Sequence, residues 1–208
     1  SAGADWSSWL VYVLGFLLGY LVHAALVYGT VRELRGCHAS FGDCIGGGLA
    51  VILPVIGVAI VTWLATAIPV FLIETVAVSR WLSALAIVIG VVVMILLWVA
   101  VPAAVVERHG VLASLSRSLE LTKGSRWKIL VIFLLLGSWV LVVALFFGVI
   151  LTSELGSAVG AGSNLVILAG FIVTVFYTVL WAVLSAVSYH DLRVVKEGIE
   201  TKDIAAAF

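Results

Sequence analysis

His23, the run Glu107, Arg108 and His109, and the cysteines Cys37 and Cys44 are the residues whose types and spacing offer chemistry. An imidazole inside a membrane moves protons, and ionisable residues in such places are functional by default. A proton relay needs several titratable groups in series, however, and no Asp or Glu falls inside another predicted span. His23 is therefore expected to be a neutral imidazole bonded to a neighbouring helix or reaching the headgroups. Glu107, Arg108 and His109 bring an acid, a cation and a base together, yet they fall where an apolar stretch ends. They read as the close of a span, with Glu107 pairing with a nearby Arg. Cys37 and Cys44 have His38 and Asp43 beside them, but no CxxC spacing repeats, so they read as free thiols in a reducing compartment. No Gly-rich phosphate loop, HExxH pair or GxSxG elbow occurs in the sequence. The reading is of no catalytic residue, no metal and no cofactor, hence not an enzyme.

The elements that must position these residues are membrane spans. The chain is 64% hydrophobic over 208 residues, with a mean hydropathy of +1.30. A hydrocarbon core of roughly 30 Å takes about 20 apolar residues as a helix. Stretches of that kind, read on charge boundaries, cover residues 9–31, 48–73, 81–106, 127–151 and 165–187. In lipid only helices or closed barrels satisfy the backbone. The expected fold is thus an all-α polytopic transmembrane bundle of about five spans, a single integral membrane domain over residues 1–208. No soluble catalytic domain is expected, and no signal peptide, since the first apolar stretch is too long and lacks a basic lead. The 11 basic and 11 acidic residues balance and form no basic face of the kind nucleic acid requires.

Basic residues resist translocation, so their placement sets orientation. Arg32 and Arg35 follow the first span, Arg108, Arg117, Lys123, Arg126 and Lys128 the third, and Arg193, Lys196 and Lys202 the fifth; the alternate connections carry only Arg80. This predicts the N-terminus outside and the C-terminus in the cytoplasm. Trp6, Trp9, Trp81 and Trp127 sit at span ends, where indoles favour the headgroup layer, while Trp63, Trp98, Trp139 and Trp181 fall deeper and should pack against helices or lipid.

Residues 111–122 show helical periodicity, with Val111, Leu112, Leu115, Leu119 and Thr122 on one face and Ser114, Arg117, Glu120 and Lys123 elsewhere. An amphipathic helix along the headgroup plane is expected, stopped by Gly124, and Leu115→Asp should disturb it more than Ser114→Asp. Residues 36–47 form a weaker counterpart. Each precedes a hairpin, and the hairpins close alike, which suggests a parallel repeat over 36–109 and 110–194. Gly15 and Gly19 form a GxxxG face fit for partner-helix packing. Arg117, Lys123, Arg126 and Lys128 are expected to face headgroups, and Pro54, Pro69 and Pro102 to kink the second and third spans.

The run VPAAVVERHGVLASLSRSLELTKGSRWKIL places Pro102, Glu107, Gly110, Leu115, Arg117, Ser118, Leu121, Thr122, Lys123, Gly124, Arg126 and Trp127 in a pattern. It resembles the bacterial family named for the membrane domain of glycerophosphoryl diester phosphodiesterase, which overlaps the YciC-like proteins. HDLRVVKEG, from His190 to Gly198, resembles that family's closing motif, and the similarity runs from about Leu21 onward. The resemblance implies a shared membrane scaffold without phosphodiester hydrolysis, because the soluble barrel that performs it takes about 250 residues. The function expected is a non-enzymatic scaffold or accessory subunit of the bacterial inner membrane, packing against lipid and partner membrane proteins. A transporter of small solutes or lipids is the alternative, for which the repeat and the prolines speak.

Overall fold

The computed structural model describes residues 6–76, 80–108, 110–152 and 164–198. The helices are α1 (Trp6–Leu34), α2 (Phe41–Ala50), α3 (Ile52–Val76), α4 (Arg80–Leu96), α5 (Ala100–Glu107), α6 (Val111–Thr122), α7 (Arg126–Thr152) and α8 (Asn164–Glu197). Among the described residues there is no strand. Five segments are long and apolar enough to cross a membrane, α4 and α5 together supplying the third. The all-α, five-span expectation therefore holds. His109, the 153–163 connection and Lys202 lie outside the described residues.

The predicted boundaries need correction in two places. Residues 48–50 belong to α2, so the second span starts at Ile52; the Ser40 hydroxyl caps α2 and Asp43 completes the capping box. The fifth span does not stop near Val187. Helix α8 runs on to Glu197, where Tyr189 and Arg193 find partners in Glu107 and Glu197 that sequence periodicity does not reveal.

The kink expected in the third span is a full break at residues 97–99. Pro102 lies in the first turn of α5, where a missing N–H is tolerated. The Ala100 amide turns to the Leu97 carbonyl at 3.0 Å, so the Leu96 carbonyl loses its helical donor. The Ser118 hydroxyl of α6 takes that place at 2.8 Å, which matters because an unsatisfied backbone group in a span costs several kcal/mol. Pro54 falls in the first turn of α3, and Pro69 lies inside that helix.

Two clusters form the core. One joins Ala24, Val27 and Val31 of α1 to Val55 and Val58 of α3, Ala100 and Ala104 of α5, and Ala182 and Ala186 of α8. Small residues let these backbones approach closely, the usual basis of helix packing where lipid removes the hydrophobic drive. The other cluster centres on Trp98 and Tyr189. Trp98, Phe133 and Trp181 meet edge to face, with centroids 4.8 to 5.4 Å apart, each pair contributing about 1 kcal/mol beyond burial. Trp98 and Trp181 thus pack against helices as expected, whereas Trp63 stands exposed on the outer surface among Leu53, Leu64 and Phe71.

Helix α6 occupies the residues expected, but its packed side differs. Ser114, Ser118, Leu121 and Thr122 are buried, while Leu112 and Leu119 point outward. Small hydroxyl side chains seat the helix against the bundle: Ser114 and Thr122 bond back to Gly110 and Ser118 carbonyls at 3.1 and 2.9 Å, and Val111 lies against Gly57 of α3. Ser114, which the periodicity sets off the apolar face, is thus buried against the bundle. A count of apolar residues misses a face that is small and self-bonded rather than greasy.

Candidate functional site: a charged seam and an intramembrane cavity

The ends of α1, α5, α6 and α8 gather into one charged end of the bundle. Glu107 closes α5 with its carboxylate half-buried, and its Oε1 accepts Arg117 Nε at 2.9 Å and the Tyr189 hydroxyl at 2.8 Å. Arg117 also pairs with Glu197, which in turn accepts Arg193 Nε at 2.7 Å. The Lys196 ammonium reaches the Glu120 carbonyl of α6. Three helices from separate parts of the chain are tied by one connected set of charge-assisted hydrogen bonds, the stronger kind. The expected pairing of Glu107 with a nearby Arg is realised in Arg117.

Arg117 therefore does not stand with the other cations. Its side chain is 26% exposed and turned toward carboxylates, whereas Lys123, Arg126 and Lys128 are exposed beside Trp127. The expectation that all four face headgroups is corrected for Arg117, because Glu107 and Glu197 hold its guanidinium inside the seam. Tyr189 and Glu197 were not singled out from the sequence. The only signal for them was their place in and beside the HDLRVVKEG run, which gave no partner.

A cavity of about 390 Å³ lies deeper, between α1, α3, the α4–α5 break and α8. Gly15, Gly19 and His23 line it from α1, opposite Trp98, Tyr177, Thr178 and Trp181. His23 is 8% exposed. The bond to a neighbouring helix expected for it is absent among the described residues. A Cβ at Gly15 or Gly19 would meet nothing within 4 Å, so neither glycine is a close-approach point inside this chain. Other hydroxyls of the spans bond to their own helices, Thr66 to Thr62, Thr178 to Thr174 and Ser188 to Leu184 carbonyls, at 3.0, 2.8 and 2.6 Å.

Cys37 and Cys44 are not joined. Asp43 accepts the Ser40 amide at 3.2 Å and approaches Arg32 at 3.5 Å. Its bonds with Ser40, aided by the Arg32 charge, hold its carboxyl below the usual carboxylate range. His38 lies 3.6 Å from Glu33 on the exposed surface. Among the described residues no three His, Cys, Asp or Glu side chains gather closely enough to hold a metal ion.

Fold and site together define a polytopic α-helical membrane protein whose interfacial helix α6 is bolted to the ends of two spans. The chain belongs to the family of the membrane domain of glycerophosphoryl diester phosphodiesterase, whose model matches residues 48–203. The match takes in Glu107, Arg117, Ser118, Tyr189 and Glu197 and leaves out the whole of α1, with Gly15, Gly19 and His23. Comparison with curated proteins and with solved structures gives no match.

Proposed function

We propose that this protein is a non-enzymatic scaffold or accessory subunit of the bacterial inner membrane, its charged end in the cytoplasm and its outer helix faces packed against lipid and partner membrane proteins. One observation carries the reading: Glu107, Arg117 and Glu197 of the family's motifs bond to one another and to the neighbouring Tyr189. Glu107, Arg117, Tyr189 and Glu197 satisfy each other across three helices, and Ser118 satisfies the backbone. Such a motif preserves a shape. Its carboxylates accept from Arg117, Tyr189 and Arg193, a different arrangement from the acid and base poised on a substrate that general acid–base catalysis requires. Apolar side chains such as Leu14, Leu18, Leu134, Leu141 and Phe171 cover the outside, a surface suited to lipid and to other helices.

A second reading, lipid or solute handling, draws on the cavity beside His23. Proteoliposomes and native-lipid discs separate the two. The scaffold reading expects an integral membrane partner at fixed stoichiometry by native mass spectrometry, and no solute flux. Flux that disappears in His23→Ala would overturn it in favour of the transporter.

A further inference from the structure

The charged end holds a second feature, which shares Glu107 with the seam. A cavity of about 540 Å³ opens between the end of α1 and the end of α5, lined by Arg32, Arg35 and Arg108, with Tyr28, Cys37 and Glu107. That volume is within the range of small-ligand sites, roughly 300–1,000 Å³. Three guanidiniums and the Glu107 carboxylate line it, and that carboxylate accepts from Arg117 and Tyr189. Arg32 is held in place by the Tyr28 ring, 5.9 Å beneath its guanidinium, and by Asp43 at 3.5 Å. Burial, and after it the neighbouring Arg193 charge, lower the affinity of Arg35 for its proton. Apolar Val31, Val105 and Val106 complete the wall.

The backbone supplies an independent sign. Arg108 sits at φ 51° and ψ 27°, in the left-handed region, and among the described residues it is the sole non-glycine there. Gly is the ordinary choice for a helix end of this shape. A strained non-glycine held at such a place points to a use for its side chain, and here the side chain lines the cationic cavity.

We propose that Arg32, Arg35 and Arg108 form a phosphate site at the charged end, occupied by the phosphate of an anionic lipid headgroup or by free phosphate. Planar guanidiniums match phosphate oxygens in bidentate fashion, and three of them at the end of two spans stand where headgroups lie. The proposal deepens the scaffold reading by naming its lipid contact.

Delipidated protein in non-ionic detergent, titrated with dioleoylphosphatidylglycerol, dioleoylglycerol and inorganic phosphate, tests the site by native mass spectrometry and calorimetry. Wild type should bind one phosphatidylglycerol saturably and dioleoylglycerol far more weakly. Arg108→Gly should weaken binding about tenfold, the size of one charge-assisted hydrogen bond, while its thermal midpoint holds or rises because the backbone strain is relieved. Arg35→Gln should act in the same direction, and Arg108→Gly serves alone where Arg35→Gln does not fold. Saturable binding of inorganic phosphate with the same loss in Arg108→Gly supports the site and assigns it a soluble anion. Equal binding of dioleoylglycerol, wild-type affinity in Arg108→Gly, or no binding of either phosphate compound overturns the site. The scaffold reading is judged separately, by partner stoichiometry in native-lipid discs.

Discussion

Tyr189 of α8 donates its hydroxyl to Glu107 of α5 at 2.8 Å, joining residues 82 positions apart at the ends of two spans. The same oxygen accepts Arg117 from α6, so the bond is one leg of a three-helix tie. Tyr189→Phe keeps the ring packing and removes only the donor. It should lower unfolding free energy by about 1–3 kcal/mol, as for hydrogen bonds to charged groups. Glu107→Ala should cost more, because it leaves Arg117 and Tyr189 facing an empty place. Reversible unfolding in mixed detergent checks the order; a Glu107→Ala protein as stable as Tyr189→Phe would remove the seam from the account of stability.

Helix α6 offers a sharper comparison. The sequence makes Leu115 the sensitive position and Ser114 the tolerant one, whereas the structure buries Ser114 to 1% exposure and leaves Leu115 half-buried beside the first core cluster. Ser114→Asp should therefore reduce folded yield in detergent at least as much as Leu115→Asp, with Leu112→Asp the mildest since Leu112 is 80% exposed. Full tolerance of Ser114→Asp would show that α6 sits off the bundle.

Much of this architecture is legible in the residues and some of it is not. Span number follows from hydropathy because lipid imposes one backbone solution. The extent of α6 follows from periodicity and Gly124, whose φ of 91° marks the stop. Its packed face does not follow, since Ser114 and Ser118 are chosen for size and for bonds to Gly110 and Leu96, both invisible to a hydrophobic pattern. Glu107 announces itself as an acid at a span end, but its partners Arg117 and Tyr189 come from other helices. The cationic cavity is hidden for the same reason: Arg32 and Arg35 lie more than seventy residues from Arg108.

Gly57 and Val111 provide a packing test. A Cβ built at Gly57 runs into the Val111 side chain, so α3 and α6 meet there without room to spare. Gly57→Ala should destabilise by about 1–3 kcal/mol as overpacking does, and Val111→Ala added to it should recover part of the loss. Thermal midpoints of the two single variants and the double variant decide; additive losses would mean that the two sites do not touch.

Asp43 carries the pH prediction. Its bonds with Ser40 lower its pKa from 3.8 in the folded chain, so ionisation favours the folded α2. By linkage, that contribution is fully present above the unfolded value and is lost as pH falls through the lower folded value. Ser40→Ala should move the Asp43 titration upward, toward the ordinary carboxylate range. Carboxyl-carbon NMR of the protein in micelles reads this directly, and an unmoved titration would dismiss the capping box as its cause.

Gly15 and Gly19 face the cavity beside His23, with open space where their side chains would be. Gly15→Leu with Gly19→Leu should therefore fold, helped by leaving glycine, which costs a helix up to about 1 kcal/mol per residue. The two leucines would fill much of a 390 Å³ space. If that space receives a partner's side chains or a lipid chain, the double variant should keep or raise its thermal midpoint while losing the co-purifying protein or lipid seen with wild type in native-lipid discs. Unchanged co-purification would place the working surface elsewhere, on the outer faces of α7 and α8. A variant that fails to fold would instead show that α1 packs more tightly against α3 and α8 than the open cavity allows.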